Sequence, residues 1–187
     1  MFKLAIGSFA SAVAMFVAGF LYFAGPIAII GYSTANEAQS AAIQTALAAN
    51  LAQTGTYMIP DPSTQSGTTL YGKGPVATVH YNSMGFSLES VDGMVWGFAL
   101  YLGAAILMAG GLSHVPDFRG RVVVVACFAI ASSSLTILTD PIFLHQDWAY
   151  AIFSFVGSIL ILMIGGLVIA RWFLPSGAQQ TQEVAGG

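Results

Sequence analysis

Four long apolar stretches, residues 4–30, 94–112, 122–138 and 148–170, contain no Asp, Glu, Lys, Arg or His. A helix that crosses a bilayer needs about 20 such residues, so each stretch fits a transmembrane span. The third is the shortest, but it is rich in Ile, Val and Leu. Hydrophobic residues make up 56% of the 187-residue chain and charged residues 7%, against about 25% charged in soluble domains. The expected fold class is an all-α membrane protein. It is a four-transmembrane-helix bundle with a small α+β extracytoplasmic cap between helices 1 and 2. The divisions are residues 1–31 (helix 1), 32–91 (extracytoplasmic loop), 92–174 (helices 2–4) and 175–187 (a disordered cytoplasmic tail).

The first apolar run is much longer than the roughly 7–15 residues of a signal-peptide core, so it reads as a retained anchor. Basic residues set the orientation. Lys3, Arg119, Arg121 and Arg171 fall on one side of a four-span layout, and only Lys73 falls in the long loop. Both termini are therefore expected in the cytoplasm. Glu37, Asp61, Glu89, Asp92, Asp140 and Asp147 lie on the other side. Trp148, Tyr150 and Trp172 mark membrane interfaces, which their amphipathic rings favour.

Composition also narrows function. A formal charge of −3 and the absence of a basic run argue against nucleic-acid binding. One cysteine, Cys127, permits neither an internal disulfide nor a CxxC redox pair. Ionisable groups inside spans usually mark proton relays, ion paths or voltage sensors, and these spans carry none. No Gly-x-Ser-x-Gly occurs, and Gly72-Lys73-Gly74-Pro75 lacks the spacing of a phosphate-binding loop and reads as a turn. The chain leans away from being an enzyme. No cofactor is expected.

In the long loop, Thr34-Ala35-Asn36-Glu37 fits a helix capping box. A helix over about 35–53 follows, with Gly55 as its stop. Ile43, Leu47 and Leu51 recur every four residues and form one apolar stripe, a candidate partner contact. Thr56 to Ile59 and Pro75 to Tyr81 are β-prone, with chain-breaking Pro60, Pro62 and Gly67 between them.

Three constellations carry candidate chemistry. Ser132, Ser133, Ser134 and Thr136 place hydroxyls late in the third span, where they bond across a helix interface or to their own carbonyls. As a ligand site they would suit a lipid headgroup, a quinone or another hydroxylated apolar molecule. His80 and His145 share the outer side with several acids, and imidazole with carboxylate suits zinc. The alternative for these acids is a solvated rim or a docking surface for a basic partner. Small residues at four-residue spacing, as in Gly7/Ser11, Gly93/Gly97, Ala99/Gly103 and Ser154/Ser158, allow close helix approach. Pro26, after Gly25, removes a donor and kinks the first span.

The basic start, the segment Phe16-Val17-Ala18-Gly19-Phe20-Leu21-Tyr22, and the loop segments Ala46-Leu47-Ala48-Ala49-Asn50-Leu51, Gly55-Thr56-Tyr57-Met58-Ile59-Pro60 and Lys73-Gly74-Pro75 carry a resemblance. In these residues the chain resembles a group of small four-span bacterial inner-membrane proteins. The resemblance implies a bacterial inner-membrane location and an extracytoplasmic cap, and transfers no activity and no catalytic residue. The leading expectation is a non-catalytic accessory or assembly subunit in the lipid bilayer, contacting other membrane or periplasmic proteins or a second copy of itself. The alternatives are a binder of a lipid, quinone or other apolar ligand, or a passage for a neutral solute, and a periplasmic-face metal site.

Overall fold

The computed structural model describes residues 2–87 and 90–175. Helix α1 spans Phe2–Phe23. Sequence patterning carried the first span to residue 30, but the helix stops earlier. Pro26 has no N–H, and its ring in a continuing helix would meet the carbonyl of Tyr22 four residues back. The chain instead makes a single 3₁₀ turn, Pro26–Ile30, with Pro26 in its first turn, where a missing donor costs nothing.

The cap follows: α2 (Glu37–Asn50), β1 (Gly55–Ile59), α3 (Gln65–Tyr71) and β2 (Ala77–Tyr81). The bundle then continues with α4 (Asp92–Ser113), α5 (Phe118–Ile137), the short α6 (Thr139–Phe143), α7 (Trp148–Val168) and a π-helical turn, Ile169–Phe173. Four helical segments are long and apolar enough to cross a membrane: Phe2–Phe23, Asp92–Ser113, Phe118–Phe143 and Trp148–Phe173. Residues 176–187, the tail expected to be disordered, lie outside the described residues, as does Glu89.

Three of the long helices start on an aspartate. Asp117 Oδ2 accepts from the Gly120 N–H at 2.6 Å to cap α5, and Asp147 Oδ2 accepts from the Tyr150 N–H at 2.9 Å to cap α7. Asp92 occupies the first turn of α4. Negative charge there complements the free N–H groups of the helix end. Asp92 and Asp147, which patterning grouped as an outer acidic rim, thus have local work at helix starts.

Helix α1 is the hub of the bundle. It packs on α4 and α7, α7 packs in turn on α5 and more lightly on α4, and α4 and α5 meet chiefly where Ala109 and Leu112 join Val125 in a buried cluster. The α1–α4 seam is aromatic, with edge-on pairs Phe9–Phe98 (5.7 Å), Phe16–Phe98 (5.9 Å) and Phe16–Tyr101 (6.1 Å), a geometry that aligns ring edge with ring face. The α1–α7 seam is close because α7 offers glycines. The Tyr22 ring occupies the space a Cβ on Gly157 would need, and the Met15 side chain does the same at Gly165. Ser11 Oγ donates to the Gly165 carbonyl at 2.9 Å. Among the small-residue pairs, Gly7 and Ser11 face this seam, whereas Gly93 and Gly103 of α4 have nothing within 4 Å.

In the cap, β1 and β2 form a two-stranded antiparallel sheet, paired from Gly55↔Tyr81 to Ile59↔Ala77, close to the expected strands. The capping box lies two residues beyond the predicted one. Asn36 Oδ1 accepts from the Gln39 N–H at 2.9 Å, and the Asn36 N–H donates to Gln39 Oε1 at 3.0 Å. An amide pair performs what the Thr34–Glu37 pattern predicted. The helix ends at Asn50, and Gly55 opens β1 instead of stopping α2.

Patterning missed α3 altogether. Thr64 Oγ1 caps it by accepting from the Gly67 N–H at 3.0 Å. Gly67 is required there, since a Cβ would run into the Asp61 carbonyl. Gly67 is also the only buried residue among the described residues from 32 to 91.

Candidate functional site

A gap runs between α4 and α5, floored by α7. Its half nearest the cap is a cavity of about 310 Å³ with walls from four helices: Phe23 of α1, Tyr101 of α4, Ile137 of α5, and Tyr150, Ser154, Ser158, Ile161 and Leu162 of α7. The far half is a cavity of about 350 Å³ lined by Ala104, Leu107, Met108, Gly111 and Leu112 of α4, Val124, Val125 and Phe128 of α5, and again Leu162. Each lies in the ~300–1,000 Å³ range of small-molecule sites. In the wall of the far half, Leu112 and Val125 belong to a buried cluster with Ala109 and Ile169.

The gap has a polarity gradient. The far half is wholly apolar, while the cap half carries the hydroxyls of Tyr101, Tyr150, Ser154 and Ser158. No lining residue is charged. The two serines, four residues apart, share one face of α7. Ser158 Oγ accepts from Ser133 Oγ at 3.0 Å and so joins α5 to α7. Ser154 differs: it is 9% exposed, and its Oγ has no hydrogen-bond partner. A buried hydroxyl without a partner is costly, at about 1–3 kcal/mol.

Aromatic rings frame the cap end of the gap. Tyr22 stacks on Phe153 at 4.6 Å and 26°, and its hydroxyl donates to the Phe153 carbonyl at 2.9 Å. Phe23 meets Phe153 edge-on at 5.8 Å, and Tyr32 lies 5.2 Å from Tyr150. Gly31 gives Phe153 its room, since a Cβ there would sit within the ring. These contacts draw the chain leaving α1 onto the start of α7.

The residues singled out by patterning divide. Of the Ser132–Thr136 group, only Ser133 reaches another helix. Ser132 Oγ donates to the Phe128 carbonyl at 2.7 Å, Ser134 Oγ to Ile130 at 2.7 Å and Thr136 Oγ1 to Ser132 at 2.8 Å. These three satisfy themselves on their own helix, and none lines either cavity.

His80 Nδ1 pairs with Thr56 Oγ1 at 3.0 Å across the sheet, whereas His145 sits 6.0 Å from the Tyr71 ring at a backbone φ of 53°. The two imidazoles thus have separate partners. Among the described residues, no three His, Cys, Asp or Glu side chains gather closely enough to hold a metal ion.

The stripe on α2 has a definite neighbour. Ile43 and Leu47 border a groove of about 530 Å³ with Tyr81, Asn82, Ser83 and Gly85. Ile43 nonetheless stays 55% exposed, and Leu47 and Leu51 are only half-buried.

Two residues escaped sequence reasoning. Arg121 patterned as a loop cation but lies in the first turn of α5, buried. Its Nε donates to the Val115 carbonyl at 2.7 Å and its Nη2 to the Pro116 carbonyl at 3.2 Å, which ties the α4–α5 turn to α5. Tyr101 has no motif around it. Its hydroxyl lies over Gly19, where a Cβ would stand 2.6 Å from it. Ser154 was visible only as half of a small-residue pair.

Compared with family models, curated proteins and solved structures, the chain gives no match to any of them.

Proposed function

We propose that the protein is a non-catalytic, multi-pass subunit of the bacterial inner membrane with both termini in the cytoplasm, whose cap docks a second protein chain. One observation carries this reading: the cap has no core of its own. Met58, Ile59, Leu70, Met84 and Phe86 are 40–78% exposed, and among the described residues of that region Gly67 alone is buried. An isolated two-stranded sheet is marginal in water, and both outer edges of this one are unpaired, which favours added contacts. Apolar groups held outside the bilayer in this way are characteristic of interaction surfaces. The charge-free apolar stretches within the four long helices and, among the described residues, the lack of a catalytic constellation support a structural role over a chemical one.

The orientation rests on the cations. Arg119, Arg121 and Arg171 lie at the end of the bundle away from the cap, with Lys73 alone at the cap, as the positive-inside rule requires. The test is the native mass of the full chain extracted from its own membranes in a mild polymer, with the copurifying chains identified. An assembly containing another protein, depleted by Leu70→Ser with Phe86→Ser, is expected. A particle holding this chain alone overturns the reading.

A further inference from the structure

We propose that the gap between α4 and α5 holds one lipid molecule, its chain in the apolar far half and an uncharged carbonyl oxygen accepting a hydrogen bond from Ser154. This goes beyond the cap reading and shares with it only membrane insertion. Ser154 is the one buried side-chain hydroxyl among the described residues with no partner, and it borders a cavity. The three neighbouring α5 hydroxyls that could not reach another helix turned back onto their own carbonyls. Ser154 does not: its hydroxyl lies buried in the wall of the cavity without an acceptor, and a turn about its Cα–Cβ bond would present it to an occupant.

The chemistry of that occupant follows from the walls. The far half offers only alkyl, thioether and phenyl surface, which matches a hydrocarbon or isoprenoid chain. The cap half offers neutral hydroxyls and no cation, so the polar group at Ser154 is uncharged. Ser154 lies six residues into α7, about 9 Å below Trp148 at 1.5 Å per residue. That depth, below the interface that Trp148 marks, suits the ring of a quinone better than the ester region of a glycerolipid, both carbonyl acceptors on apolar chains. Leu162, common to both halves, sets them side by side, so that one molecule could reach from the apolar half to Ser154.

The experiment is native mass spectrometry of the full-length protein, delipidated in detergent and then offered either phosphatidylethanolamine or a benzoquinone with a short isoprenoid tail. One adduct per chain is expected. Ser154→Ala should weaken it about three- to tenfold, the scale of one neutral hydrogen bond. The same substitution should raise the melting temperature of the lipid-free protein, because it removes an unsatisfied buried hydroxyl. Leu162→Trp, which fills the slot and leaves Ser154 intact, should abolish the adduct. Preference for the quinone assigns the carbonyl to a quinone ring, and preference for the phospholipid assigns it to an ester. No stoichiometric adduct with either probe, or equal binding by wild type and Ser154→Ala, overturns the proposal.

Discussion

At Gly157 a single hydrogen atom decides how close two helices come. The Tyr22 ring fills the position of the missing side chain and continues to a hydrogen bond with the Phe153 carbonyl. Gly157→Leu should therefore push α1 away from α7 and cost about 1–3 kcal/mol, as overpacking does, read as a lower melting temperature in detergent. Gly103→Leu, at a glycine with open space around it, is the control and should change stability little. Residue roles of this kind were only partly legible in the sequence. Small-residue spacing flagged α1 and α4 alike, and only the packed structure separates a glycine that receives a ring from one that faces outward. The serine run was legible as polar but not as self-satisfied. Donation to the carbonyl four residues back depends on rotamer, which spacing does not encode.

Among the elements, the long helices were the most legible and the cap the least. A charge-free run of about 20 residues has few folded solutions, so span positions followed closely except where Pro26 ended α1. The cap follows weaker rules. Helix α2 starts at Asn36 instead of Thr34 because an Asn–Gln pair closes the box as well as a Thr–Glu pair. Helix α3 hid behind Pro60, Pro62 and Gly67, which read as breakers, although Gly67 is there for a close approach to the Asp61 carbonyl. With no buried residue in α2, the cap box is its main anchor. Asn36→Ala should cost about 1 kcal/mol of local stability, visible as faster hydrogen exchange at the amides of residues 39–42 and unchanged exchange in α7.

For the whole molecule, the arrangement predicts sidedness. In a Cys127→Ser background, a cysteine at Thr64 should react with an impermeant maleimide added to intact cells. A cysteine at Arg119 should react only after the membrane is opened. The reverse pattern would invert the orientation. The four long apolar helices were readable from hydropathy, but the gap between α4 and α5 was not, because nothing in the composition of either helix states which neighbours it has. That gap also fixes how the slot fills. α4 is fastened mainly to α1 and only lightly to α7, and the gap beside it lies between helices long and apolar enough to cross a membrane. In a bilayer, an occupant would enter from the plane of the membrane without crossing water. Occupancy would then follow the mole fraction of a lipid among its neighbours rather than any aqueous concentration, and diluting the membrane with foreign lipid would empty the slot where diluting the cell suspension would not.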